Sequence, residues 1–146
     1  ILIFLSTRNS YSYTLASTYG LLFYISMILL GMGLFLAIWS VQTFYTKGGE
    51  GTPAPWKPIS NLIISGPYRY VRNPMILGVV LLLLCEAALF DSIPFLLWAL
   101  TFFFINIIYF RFSEEKALSK RFGSDYEDYR DKVSMFLPSF TPYKKD

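Results

Sequence analysis

The sequence predicts an all-α integral membrane protein. It should have about three transmembrane helices, a truncated N-terminal segment before them and a cytosolic C-terminal helical segment. Three observations predict this. Of the 146 residues, 54% are hydrophobic and 16% charged, whereas soluble domains carry roughly a quarter charged residues. The charges are also clustered: residues 19–46 contain no Asp, Glu, Lys or Arg, and residues 73–110 contain only Glu86 and Asp91. Finally, of the 13 Lys and Arg residues, all but Arg8 lie in the polar segments 46–73 and 111 onward.

The chain starts at Ile1, without Met, as a piece of a longer protein would. "ILIFL" then reads as the tail of a truncated membrane helix. It lacks the basic region and cleavage site of a signal peptide. The first full span is residues 19–45, and its Tyr19, Tyr24, Trp39 and Tyr45 suit the aromatic belts of a bilayer. Residues 46–73 are rich in Gly and Pro. Pro53, Pro55 and Pro58 favour extended turns, and "NLIIS" reads as a short interfacial segment.

Residues 74–90 and 93–112 then read as a helical hairpin. Asp91-Ser92 makes the turn, and Pro94 lies in the first turn of the second arm. The first arm is short, about 25 Å at 1.5 Å per residue. The second arm continues past the membrane as "SEEKALSKRF", with Gly123 as the residue that ends the helix. Ser124 and Glu127 have capping-box spacing and open a short helix to about Ser134, with Tyr126, Tyr129 and Val133 on one face. The tail from Pro138 reads as irregular.

The basic residues orient the chain. Both polar segments lie on one side, the cytosol, by the positive-inside rule. That puts "SGPYRYVRNPM" (65–75) and "RFSEEKALSKRFGSDYEDYRDKV" (111–133) beside each other at one membrane face.

Composition removes several function classes. The chain has no histidine, which excludes His-based metal sites, Ser-His-Asp catalysis and a His general base. Its one cysteine, Cys85, supports neither a disulfide framework nor a Cys-based zinc site, so no metal is expected. The net charge of +3 does not indicate a nucleic-acid partner, because the basic residues flank apolar spans.

Each polar cluster has a bland reading and a chemical one. In "YRYVRNP", Asn73 is a good helix cap and Pro74 a good first helical residue, with Arg69, Arg72, Tyr68 and Tyr70 as interface anchors. The chemical reading is an anion site: two arginines beside free helix N–H groups hold a carboxylate or phosphate, and the tyrosines stack on a planar ring. Glu114 and Glu115 belong on a solvated face, with Arg111–Glu115 paired at i, i+4. Alternatively Glu115, sharing a face with Leu118 and Phe122, points at protein and binds ribose hydroxyls or an ammonium group. Gly31 and Gly33 mark close helix packing or a cofactor approaching the backbone. Glu86 is an intramembrane acid, but it is five residues from the turn at Asp91 and on the wrong side to join the arginines.

Together, "GPYRYVRNPM..G" (66–78), "EEKALSKRFGSDYEDYRDKV" (114–133) and the preceding "GEGTPAPWKP" resemble the isoprenylcysteine carboxyl methyltransferase / phospholipid methyltransferase family. The resemblance runs from about Gly31 to Pro138. Its members are small helical membrane enzymes that use S-adenosylmethionine. It implies a cofactor pocket at the cytosolic face, closed by the C-terminal segment, in a bacterial inner membrane or endoplasmic reticulum. The family's Arg-X-Pro segment falls on Arg72, Asn73 and Pro74, its paired acids on Glu114 and Glu115, and its Gly-X-Gly on Gly31 and Gly33. Its Phe-Gly…Tyr…Tyr segment falls on Phe122, Gly123, Tyr126 and Tyr129. Many members carry histidine where this chain has Asn73, whose amide still donates and accepts.

The implied chemistry suits these residue types. The cofactor's carboxylate calls for Arg72 or Arg69, its ammonium and ribose for Glu114 or Glu115, and its adenine for an aromatic wall. Tyr68, Tyr70, Tyr126 and Tyr129 are candidates for that wall. Arg72, Glu115 and Arg130 are the candidate catalytic residues. The expected partners are the bilayer and a lipophilic or lipid acceptor carrying a carboxylate, amine or thiol. Two rivals remain at this level. A membrane NADPH-dependent sterol-type reductase has a similar Arg-His-Pro step, although "RNPMILGV" lacks its histidine, its Asn-Tyr and its acid. A structural membrane subunit or small transporter would use the polar clusters only as anchors.

Overall fold

A computed structural model describes residues 20–48 and 60–144. Tyr19, Arg8, "ILIFL", the prolines at 53, 55 and 58, Lys57 and the "GEGTPAPWKP" motif lie outside them. Every regular element among the described residues is helical. Helix α1 spans Leu21–Lys47 and α2 Pro74–Leu89, and between them Gly66–Arg69 form one 3₁₀ turn. Helix α3 spans Ile93–Tyr109. It runs on through a π-helical stretch, Phe110–Glu114, into α4, Glu115–Phe122. Helix α5 is Ser124–Lys132.

Among the described residues, two helices are long and apolar enough to cross a membrane: Leu21–Lys47 and the continuous Ile93–Phe122. Helix α2 is apolar but shorter, 16 residues, or about 24 Å against a hydrocarbon core of about 30 Å. The outward sides of the long helices are apolar and exposed, with Leu21, Ile28, Phe35 and Ile38 on α1 and Leu97, Phe104, Ile105 and Ile108 on α3. Apolar surface this extensive is unfavourable in water and suits lipid.

Helix α2 packs against both α1 and α3. Its contact with α1 is antiparallel and close. A Cβ on Gly33 would lie 2.9 Å from Leu82, and one on Gly78 would lie 3.0 Å from the Ala37 backbone nitrogen. The small residues therefore let two backbones approach. The hydroxyls buried along α1 are satisfied locally: Ser26, Ser40 and Thr43 donate to the carbonyls of Phe23, Leu36 and Trp39. That matters where no water is present to bond them.

The hairpin forms as its sequence predicts. Asp91 takes φ 42° in the turn, and Pro94 lies in the first turn of α3. The end of the chain differs from expectation. Ser124 is the first residue of α5 rather than its cap, and no side-chain cap bond forms. The Glu127 N–H, which Ser124 would have capped, goes to the Gly123 carbonyl instead, as does that of Tyr126. Helix α5 also stops at Lys132 rather than near Ser134, because Val133 turns extended.

Candidate functional site

The 65–75 stretch is shaped from its glycine outward. Gly66 adopts φ 55°, and a Cβ there would lie 2.6 Å from the Thr43 hydroxyl. Both the backbone conformation and the space demand glycine. Pro67 follows, fully buried, and the 3₁₀ turn lays residues 69–73 across the top of α2. Pro74, also fully buried, begins that helix.

A strap made of residues 133–143 pins the same stretch from the other side. The N–H groups of Arg72 and Asn73 donate to the carbonyls of Ser134 and Met135 (2.9 and 3.1 Å). Further along, the N–H groups of Ser139 and Tyr143 donate to the carbonyls of Tyr70 and Arg69 (2.9 Å each). Arg69 Nε donates to the Tyr143 carbonyl, so Arg69 helps to fasten the end of the chain. Tyr143 in turn donates its hydroxyl to Asp128, which also accepts from Lys132. The Tyr143 bond, with Lys132 behind it, holds the Asp128 carboxyl below the usual range.

Under the strap lies a core of Tyr126, Tyr129, Val133 and Tyr143, with Leu62, Ile64, Leu118 and Phe122 packed against it. Tyr126, Tyr129 and Val133 share one face of the chain, and that face is the buried one. The Tyr129 hydroxyl donates to the Tyr68 carbonyl at 2.5 Å. Burial raises the phenol of Tyr129 far above its ordinary range and that of Tyr68 to about 12. Tyr126 is raised as well, mainly by burial, with the Arg72 charge acting in the opposite direction.

The centre of the arrangement is Arg72. Its Nη1 donates to Glu115 Oε1 at 2.5 Å and to the Tyr126 hydroxyl at 3.3 Å. The two charged side chains are only 10% and 14% exposed. Three residues from three parts of the chain thus meet at one point. The π-helical stretch just before Glu115 helps to explain how. A π turn adds a residue, shifting every later side chain around the helix. Within it Tyr109 donates to Glu114 at i, i+5 spacing (3.1 Å). Glu114 therefore faces its own helix, while Glu115 faces Arg72 rather than Arg111.

Beside this pair, Arg72 Nε, Asn73 Nδ2 and Ser65 Oγ are buried with no hydrogen-bond partner among the described residues. Leaving a buried donor unsatisfied costs about 1–3 kcal/mol. Asn73 stands at the cap position of α2, as its sequence context predicts, but its side chain makes no cap bond.

The other candidates fall elsewhere. Gly33 is taken up by helix packing, and a Cβ on Gly31 would meet nothing within 4 Å among the described residues. Arg130 lies nearer the surface, 38% exposed, with a long contact of 3.5 Å to Asp131. Tyr70 contributes its carbonyl, which accepts from the Ser139 hydroxyl as well as its N–H. Glu86 is exposed in the last turn of α2, about 20 Å along the helix from Arg72. Sequence reasoning did not find Ser65, the strap or the π-helical stretch. The only local hint of the last was the i, i+5 spacing of Tyr109 and Glu114.

The group can do defined chemistry. Arg72 Nε and Asn73 Nδ2 are buried donors with no partner among the described residues, and the same arginine holds a carboxylate and a phenol on its Nη1. Such a set binds a carboxylate and a neighbouring cationic or hydroxyl group together. A family model described as Phospholipid methyltransferase matches residues 21–125, which include Arg72, Asn73 and Glu115. No curated protein and no solved structure matches the chain.

Proposed function

Since the chain belongs to the phospholipid methyltransferase family, we propose that it transfers a methyl group from S-adenosylmethionine to a lipophilic acceptor at the cytosolic face of a membrane. The observation that carries this reading is the pair of buried donors Arg72 Nε and Asn73 Nδ2, which have no partner among the described residues, with Glu115 on the same arginine. They fit the amino-acid head of the cofactor: the donors take its carboxylate, and Glu115 takes its ammonium or a ribose hydroxyl. Tyr126 and Tyr68 supply aromatic wall. When bound, the cofactor supplies an electrophilic methyl group on a sulfonium.

The chain's own residues then bind, orient and exclude water. Methyl transfer is a displacement on carbon, and most of the help a protein gives is alignment in a dry site. Arg72 is held at three points: its N–H by the strap, its Nη1 by Glu115 and Tyr126, and its chain neighbour Asn73 by the strap again. Little of its freedom remains to be lost on binding. In this reading α2 is the third membrane span, shortened because Arg72 and Asn73 at its start must stay at the interface. The acceptor reaches the site from the bilayer side. Family membership favours a lipid acceptor and methyl transfer over both the reductase and the non-enzymatic alternatives.

Titration calorimetry of the full-length protein in detergent tests the cofactor. Saturable binding of S-adenosylhomocysteine and none of NADPH is expected. The absence of any S-adenosylhomocysteine binding would overturn the proposal. Transfer of a radiolabelled methyl group onto a total lipid extract, with the product identified by mass spectrometry, tests the acceptor.

A further inference from the structure

We infer that the tip of the 133–143 strap, Leu137 with Phe140, inserts into the lipid bilayer beside α3. The segment that clamps Arg72 and Asn73 is then itself seated on the membrane. This rests on the membrane reading of α1 and α3 given above.

Three observations carry it. First, Leu137 is 76% exposed and Phe140 fully exposed, in a strap whose other side is bonded down. These are large apolar groups held outward by a fixed backbone. Second, the strap descends along the hairpin. It leaves the level of Asn73 at Met135, and the next ring, Phe136, packs edge-on against Phe103 at 5.1 Å. Phe103 lies about 15 Å along α3 from the turn, while α2 reaches about 24 Å from the same turn to Pro74. Phe103 therefore lies about 9 Å below the start of α2 along the hairpin, and the Phe136 ring reaches down toward it. Third, between Phe103 and the level of Pro74 α3 exposes the apolar side chains of Phe104, Ile105 and Ile108. Leu137, directly after Phe136, extends a surface that already suits acyl chains, and Phe140, next to Ser139 on the Tyr70 carbonyl, lies at its interfacial edge. The chain returns to Arg69 at Tyr143 and becomes charged at Lys144, as an interfacial loop re-emerging among headgroups would.

The insertion has a consequence for the site. The carbonyls of Ser134 and Met135 hold the N–H groups of Arg72 and Asn73, and they lie directly before the inserted tip. Attachment to lipid at Leu137 and Phe140 therefore bears on Arg72 and Asn73 through two hydrogen bonds.

Spin-label accessibility tests this in the full chain, reconstituted into vesicles of phosphatidylcholine with phosphatidylglycerol. Labels are placed by Leu137→Cys, Phe140→Cys and, as a reference within α3, Phe104→Cys, each with Cys85→Ala. Collisions with oxygen should exceed those with a water-soluble nickel chelate at all three positions, with 104 the deepest. If 104 is in lipid while 137 and 140 collide mainly with nickel, this inference is wrong and the membrane reading stands. If 104 is also in water, the membrane reading fails and takes the inference with it. If 137 and 140 are shielded from both probes, a protein surface covers them and the inference is again wrong. Should Cys85→Ala not fold, the native Cys85 is buried and labels poorly, so the same comparison can be made with it in place.

Discussion

Arg72 and Glu115, 43 residues apart in the chain, are joined by a short charged hydrogen bond in which neither side chain is more than 14% exposed. Removing one partner of such a pair leaves the other charge buried and alone, at a cost of about 3–5 kcal/mol. Arg72→Ala and Glu115→Ala should each lower the melting temperature in detergent. Each should also weaken S-adenosylhomocysteine binding by about 2–5 kcal/mol. Glu114→Ala, one residue away but paired with Tyr109, should leave the affinity unchanged. Equal losses at 114 and 115 in calorimetry would show that the site assignment is wrong.

Asn73 offers a test that separates binding from folding. Its Nδ2 is buried with no hydrogen-bond partner among the described residues, so Asn73→Leu removes such a donor and keeps a similar shape. Thermal stability should hold or rise, while S-adenosylhomocysteine affinity falls roughly tenfold, the loss of about one hydrogen bond to a charged group. A simple cap would behave the other way: stability would drop by about 1 kcal/mol and affinity would not move.

The two glycines of "GMG" and their partner Gly78 should respond differently. A Cβ at Gly31 meets nothing within 4 Å, and alanine is the better helix former by up to about 1 kcal/mol. Gly31→Ala should be neutral or stabilising and leave S-adenosylhomocysteine binding intact. At Gly78 the added carbon would press on the backbone of Ala37 and Gly33. Gly78→Ala should cost about 1–3 kcal/mol as the helices are forced apart. Denaturant titration of the two variants reads the contrast directly.

Alkaline pH should loosen the fold through its tyrosines. Burial raises Tyr68 from 10.0 to about 12, and Tyr126 and Tyr129 are also raised. Above pH 10 the unfolded chain releases phenolic protons that the folded chain keeps. The folded state then binds more protons, so its stability falls as pH rises from 10 toward 12. It is unaffected by these groups below 10. Tyr129→Phe should reduce this slope. It should also cost about 1–3 kcal/mol at neutral pH by leaving the Tyr68 carbonyl unpaired. Unfolding midpoints between pH 8 and 11.5 check both effects.

Much of the fold was legible because its signals are local. Apolar runs wrote out α1, α2 and α3, Asp91-Ser92 with Pro94 wrote the turn, and Gly123 wrote the break between α4 and α5. Residue type also narrowed the candidates, since a chain without histidine has few groups beyond its arginines, acids and tyrosines to work with. Which of those groups meet was not local. Arg69 and Arg72 are equivalent by composition, yet the strap uses one to fasten the chain and leaves the other facing Glu115. Glu114 and Glu115 are adjacent, and a π-helical stretch with no clear sequence signature decides which turns inward. The sequence alone determined the apolar, all-helical class, the order of the helices and the list of candidate residues, because hydropathy and turn chemistry act over a few neighbours. Tertiary structure alone decided the pairing of Arg72 with Glu115 and Tyr126, and the empty hydrogen-bond capacity of Asn73. Those depend on how distant segments are held against each other, and the bonds from the 133–143 strap set that arrangement.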